Sequence, residues 1–187
     1  MIEIEKIEPC DDLHFIKPQR VVYRQNGVIK RWEIVQTHDS VAILLYHKTK
    51  KAFVLVKQFR PAVFLKNGEG YTYELCAGLI DKAGKSIEEI AKEEVFEECG
   101  YDLTNRKIVR ITSFFTAVGF AGGEQTLFFA EVDETIHTSE GGGVDDEQIE
   151  VIYLPVLEAR SFMFDETKAK TPGLLFAFMW FFEQYGG

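Results

Sequence analysis

The stretch that decides the fold runs from Gly78 to Gly100, GLIDKAGKSIEEIAKEEVFEECG. It reads as a loop feeding a helix. Ser86 followed three residues later by Glu89 is a capping box, which sets the helix start, and Gly100 sets its end. At the helical period of about 3.6, Ile87, Ile90, Ala91 and Val95 define one apolar face. Glu94 and Glu98 fall at the centre of that face and Glu97 at its edge, whereas Glu88, Glu89, Lys92 and Glu93 point elsewhere. Two ionised carboxylates one turn apart on a core-facing stripe repel each other and lose hydration, which is unfavourable unless a cation compensates them. Hard cations such as Mg²⁺ bind through one or two carboxylates together with substrate phosphates. The helix therefore points to a magnesium site that handles phosphates. A merely solvated acidic helix is the competing interpretation, because glutamate is a strong helix former. It calls for apolar residues at 94 and 98, where the chain has glutamates.

Outward from this helix the chain reads mostly as strands. Residues 20–25 and 28–35 are β-rich and joined by Asn26-Gly27, a two-residue hairpin signal. Residues 40–46 and 52–58 form a second expected hairpin. Residues 66–70 read as a polar loop, and 71–76 as one strand delivering the chain to Gly78. Further strands are expected near 107–116, 126–132 and 150–154. A long polar loop, 133–148, separates the last two, and a loop of that length is more often functional or disordered than neutral. Pro155 opens a short helix, and Thr171-Pro172 reads as the N-cap and first turn of a terminal helix ending near Gln184. That helix is apolar nearly all round, so the core or a second subunit must cover it. The order of elements predicts an α+β fold, a mixed sheet flanked by helices.

The chain of 187 residues suits one domain with a small N-terminal extension. At 46% hydrophobic it can bury a sizeable core. The formal net charge of −9 disfavours nucleic-acid and membrane-surface partners, and it also opposes an anionic substrate unless metal and local positive charge intervene. Cys10, Cys76 and Cys99 lack CxxC spacing, which suggests free thiols in a reducing, cytoplasmic setting. The acidic start MIEIEKIEPCDD is no signal peptide. The apolar run 174–182 is too short to span a bilayer. His14, His38, His47 and His137 show no metal-ligand spacing and read as structural or exposed.

The run Gly78…Glu94-Val95-Phe96-Glu97-Glu98-Cys99-Gly100-Tyr101 resembles the Nudix box. That box runs glycine, five residues, glutamate, seven residues, arginine-glutamate, an apolar residue, any residue, two glutamates, any residue, glycine. Its C-terminal half is intact here. Its N-terminal half departs from the pattern: Gly78 to Glu94 is one residue longer, Glu93 holds the arginine position, and the outer glutamate position falls on Gly84 or Lys85. Tyr23-Arg24-Gln25-Asn26-Gly27, Thr37-His38-Asp39-Ser40-Val41, Val56-Lys57-Gln58-Phe59-Arg60-Pro61-Ala62-Val63 and Glu74-Leu75-Cys76-Ala77-Gly78-Leu79 resemble the UDP-sugar pyrophosphatase branch of the Nudix hydrolases, which also carries the longer box.

This resemblance implies an α/β/α sandwich over residues 39–187, with residues 1–38 as a strand and hairpin extension in the interface of a homodimer. It implies Mg²⁺, with Mn²⁺ as an alternative, held by Glu94, Glu97, Glu98 and the backbone carbonyl of Ala77. The pattern leaves Glu97 as either a ligand or a water-orienting base. In related ADP-ribose hydrolases an acid of the long loop plays that part, and Asp145 and Glu147 occupy the matching positions. Arg60 suits bidentate phosphate recognition, with a surface ion pair as the alternative. Glu74 is placed to contact substrate or Arg60. The strand with Trp32 and Glu33 would lend a base-stacking aromatic. The expected reaction is hydrolysis of a nucleoside diphosphate sugar, UDP-glucose giving UMP and glucose 1-phosphate. The runner-up is ADP-ribose giving AMP and ribose 5-phosphate. Val118 stands where related ADP-ribose enzymes commonly have proline. Two further alternatives stand beside these: a degenerate nucleotide-sugar binding module, favoured by the missing arginine, and an interaction protein with an exposed acidic helix.

Overall fold

Residues 41–45 and 52–56 are apolar at every position, a pattern that needs cover on both faces of a strand. They form the centre of the structure. The computed structural model describes residues 2–10, 13, 16–144 and 147–186. In chain order the elements are β1 (Lys17–Gln25), β2 (Val28–Gln36), β3 (Ser40–His47), β4 (Ala52–Phe59), α1 (Pro61–Asn67), β5 (Tyr71–Glu74), β6 (Cys76–Leu79), α2 (Ile87–Cys99), β7 (Val109–Thr116), β8 (Gly123–Val132), β9 (Ile149–Pro155), α3 (Val156–Phe164), β10 (Ala169–Lys170) and α4 (Pro172–Tyr185). Among the described residues, eight strands join in one mixed sheet in which β3 runs parallel to β8 and antiparallel to β4 and β6.

Alternation along the central strands sends their side chains to two separate cores. Val41, Ile43, Leu45, Val54 and Val56 meet Ile90, Ala91 and Val95 of α2 on one face. Ala42, Leu44, Phe53 and Leu55 meet Ala159 of α3 and Leu174, Ala177 and Phe178 of α4 on the other. The expected α/β/α sandwich is therefore what the sheet and helices build. Phe53 stacks on Phe178 with centroids 4.5 Å apart, and truncating a buried ring of this kind costs about 3–5 kcal/mol. Half of the terminal helix is covered in this way, while Phe176 and Met179 remain on its open side, 45% and 52% exposed.

β1 and β2 form a separate two-stranded sheet that turns at Asn26 (φ 50°) and Gly27 (φ 81°), the left-handed pair that a tight hairpin requires. Two expectations need correction. Part of the segment expected as a polar loop after Arg60 is α1, which has Pro61 at its first position and no side-chain cap. The strand expected over 71–76 is split at Leu75: β5 pairs with β4, and β6 crosses to β3. That change of partner brings Ala77 and Gly78 alongside α2. Among the described residues, no helix is long and apolar enough to cross a membrane.

Candidate active site

The register of α2 is fixed at its first turn. Ser86 Oγ accepts the Glu89 N–H at 3.2 Å, and Glu89 Oε2 accepts the Ser86 N–H at 2.7 Å, which closes the expected capping box. With that start, Ile90, Ala91 and Val95 enter the core and carry Glu98 with them, leaving it 5% exposed. Ile87 does not join this face. It is exposed at the open first turn, contrary to its place on the helical wheel. Strand β6 supplies the opposite wall: the Ala77 N–H donates to Glu98 Oε2 at 3.0 Å. A Cβ on Gly78 would lie 2.1 Å from Glu94 Cδ, so the glycine makes room for that carboxylate.

Burial pushes the Glu98 carboxyl up to about 8, with the Cys76 thiol and the Ala77 N–H opposing, and Glu94 and Glu147 adding to the rise. Burial also raises Glu94, against the pull of Lys82. The lysine was not singled out by helical periodicity, because it lies in the loop before the cap. Its Nζ stands 3.3 Å from Glu94, 3.4 Å from Glu93 and 3.5 Å from Glu97. Lys85 Nζ lies 2.5 and 2.7 Å from the two oxygens of Glu93.

The long loop is docked on the end of α2. The Gly142 N–H donates to the Glu98 carbonyl at 2.9 Å and the Gly143 N–H to the Glu97 carbonyl at 3.0 Å, satisfying groups that a helix C-terminus leaves open. A Cβ on Gly141 would lie 2.4 Å from the Glu98 carbonyl oxygen, which explains a glycine there. This docking puts Glu147 within electrostatic range of Glu94, Glu98 and Arg60. Its Oε2 accepts the Val144 N–H at 3.0 Å. Asp145, the other expected acid, lies outside the described residues.

Arg60 points its guanidinium at Glu74, with Nε and Nη2 donating to the two carboxylate oxygens at 2.8 Å each. Burial alone would raise Glu74, but the Arg60 guanidinium and the Thr72 hydroxyl outweigh it and hold the carboxyl below its ordinary value. The pair expected as an alternative is thus formed, and the fork of Arg60 faces Glu74. Trp32 and Glu33 do not face one site: neighbouring strand residues point to opposite sides. Glu33 is paired with Arg20 at 2.6 Å, while Trp32, 55% exposed, donates from Nε1 to the Gly119 carbonyl at 2.7 Å. A cavity of about 410 Å³ opens beside Glu74 and Ala77 and is also lined by Phe114, Ala117, Gln125 and Thr171. A larger one, about 600 Å³, follows α2 past Glu89 and Phe96 and is lined by Glu93 and Glu97 but not by Glu94 or Glu98.

The NUDIX domain family model matches residues 36–173. The chain belongs to the Nudix family. It is similar to a uridine diphosphate glucose pyrophosphatase of Bos taurus, 40% identical over 97% of this chain and 94% of the relative. A protein of the same name from Mus musculus is 36% identical over 94% and 91%. A GDP-mannose pyrophosphatase of Pectobacterium atrosepticum is 39% identical over 76% and 73%.

Nudix membership implies a divalent cation, and the donor set here suits one. Glu94, Glu97 and Glu98 are hard oxygen donors on one helix, the first and last largely desolvated. An ammonium already sits among the carboxylates as a monovalent stand-in. Among the described residues no three acidic, His or Cys side chains stand at ligating spacing. Glu94 and Glu97 are both turned to Lys82 instead.

Proposed function

We propose that this Nudix protein hydrolyses the diphosphate of a nucleoside diphosphate sugar, with UDP-glucose as its substrate and UMP and glucose 1-phosphate as its products. The observation that carries this is the placement of Glu94 and Glu98, desolvated against β6 with a cation among the carboxylates of the same helix. Such a group of buried acids is unstable as an apolar core element and suited to a phosphate-bound cation. The two mammalian relatives named for UDP-glucose cover nearly the whole chain, which supports the choice of base and sugar.

Glu94, Glu97, Glu98 and the Ala77 carbonyl would hold Mg²⁺, or Mn²⁺ in its place. When bound, the ion supplies charge neutralisation of the diphosphate and acidifies water. Glu147, carried by the docked glycine loop, would orient the attacking water and take its proton. Asp145 is the second candidate for that role, and Glu97 the third. Arg60, steadied by Glu74, would present its remaining N–H groups to a phosphate oxygen. Trp32 would stack on the base, and the cavity beside Glu74 and Ala77 would receive a sugar or nucleoside. Both faces of the hairpin carry apolar side chains more than half exposed, Val28 and Trp32 on one and Val22 and Ile29 on the other. This apolar surface supports burial in a homodimer. The buried Cys76 and Cys99, which form no disulfide, support a cytoplasmic setting.

A substrate panel tests the reading. Under saturating Mg²⁺, kcat/KM for UDP-glucose should exceed that for ADP-ribose by about tenfold or more, which is about 1.4 kcal/mol in the transition state. GDP-mannose should fall between them or below, because a site that hydrogen-bonds one base leaves polar groups unpaired with another. A comparable preference for ADP-ribose overturns the substrate assignment. Binding without turnover of any member overturns the enzymatic one and leaves a nucleotide-sugar binding module.

A further inference from the structure

Lys82 has no part in the roles assigned so far, yet three carboxylates of one helix converge on its ammonium, Glu94 at 3.3 Å, Glu93 at 3.4 Å and Glu97 at 3.5 Å. The Lys85 N–H bonds the Lys82 carbonyl at 3.4 Å, and Gly84, at φ 84°, turns the loop back toward the Ser86 cap. The loop carries a second lysine, but Lys85 grips Glu93 alone, at 2.5 and 2.7 Å. The contrast in distance matters. Charge-assisted bonds settle near 2.7–2.9 Å, so Lys85 is locked on one partner while Lys82 is shared among three and fixed to none.

We propose that Lys82 is a tethered counter-cation that competes with the divalent ion for Glu94 and Glu97, and so sets the metal concentration at which this site fills. The proposal rests on the assignment of these glutamates as metal ligands. One ammonium cannot leave room for a second cation between the same two oxygens at contact distance, so loading requires it to withdraw. Lys82 is about one-third exposed at its side chain, 31%, and its four-carbon stem gives it a path to solvent. In the metal-free protein it relieves repulsion between Glu94 and its helix neighbours. A protein whose carboxylates are engaged by the lysine about 90% of the time binds metal about tenfold more weakly than one whose carboxylates stand free.

The test is a Mn²⁺ titration by isothermal calorimetry, with thermal melts in chelator and in Mg²⁺, on the full chain. Lys82→Met should tighten Mn²⁺ binding by about three- to tenfold. It should lower the metal-free Tm and widen the rise in Tm that Mg²⁺ produces. Lys82→Arg, which keeps the cation, should stay close to wild type. Lys85→Met removes the same formal charge three residues away but frees only Glu93, and should change Mn²⁺ affinity by less than about twofold, as exposed charges do. Mn²⁺ affinity in Lys82→Met equal to or weaker than wild type overturns the proposal. So does an equal effect from Lys85→Met, which would reduce it to general electrostatics. Failure of wild type and all variants to bind Mn²⁺ overturns the metal assignment itself, and the proposal with it.

Discussion

Lys85 and Glu93 are bonded to each other at 2.5 and 2.7 Å; Glu93 holds the arginine position of the Nudix box, and Lys85 is one of the two residues on which its outer glutamate position falls. The box has an acid in the loop and an arginine on the helix. This chain has a base in the loop, at Lys85, and an acid on the helix, at Glu93. The two departures therefore offset each other. The extra residue of the box falls in the loop ahead of Ser86, since α2 runs unbroken from its cap through Glu98. The missing arginine is thus matched by a base on the loop that pairs with the acid in its place.

A charge exchange tests this pairing. Lys85→Glu and Glu93→Arg should each lower stability by about 0.5–1 kcal/mol, the range for partly exposed pairs. The double variant should recover most of the loss, giving a coupling energy of about 1–2 kcal/mol in a denaturant double-mutant cycle. Additive losses would mean that the pair contributes nothing.

Glu98 predicts a pH dependence of the metal-free protein. Burial holds its folded carboxyl near about 8 against an ordinary value of 4.5. Between those values the folded state keeps a proton that the unfolded chain has released, so stability falls as pH rises through that window. Glu98→Gln should flatten this slope. Cation binding favours the ionised form, so loading near pH 7 should release a proton. Calorimetric heats of Mn²⁺ binding should then vary with the ionisation enthalpy of the buffer, and no such variation would contradict the assignment.

Gly78→Ala should leave the fold intact and damage the site. The added methyl would stand 2.1 Å from the Glu94 carboxyl carbon, and a side chain can swing away where backbone cannot. Mn²⁺ affinity should fall at least about tenfold, as when a ligand loses its support, with Tm moving by only a few degrees. Wild-type affinity would show that Glu94 is not a ligand.

Much of this was legible in the chain. The Ser86 and Glu89 cap and the spacing of Ile90, Val95 and Glu98 located α2 because a helix repeats its own geometry. Asn26-Gly27 located the hairpin because few residues accept its turn. Other features depend on tertiary contacts that no local period encodes. The split at Leu75 arises when one strand trades β4 for β3. α1 is a short stretch behind Pro61 with no side-chain N-cap, closed by Gly68. Lys82 meets Glu94 only because the loop folds back, and the docking of Gly142 and Gly143 on α2 joins segments more than forty residues apart in sequence. That Trp32 and Glu33 face apart was available from strand alternation.

The docked loop makes Glu147 the first choice for water activation. Glu147→Gln should lower kcat by about 10²-fold or more, with KM little changed, since a general base acts in the transition state. Wild-type kcat in this variant with a loss in Asp145→Asn would move the role to Asp145.

The most direct measurement is product analysis after turnover of UDP-glucose with Mg²⁺ in ¹⁸O-labelled water, for wild type and Glu98→Gln. Wild type should give UMP and glucose 1-phosphate, with label in the phosphate of one product and none on the sugar carbon. Glu98→Gln should lower kcat by at least about two orders of magnitude, because it removes charge from the cation site. Release of UDP with labelled free glucose, or wild-type turnover by Glu98→Gln, would contradict the account.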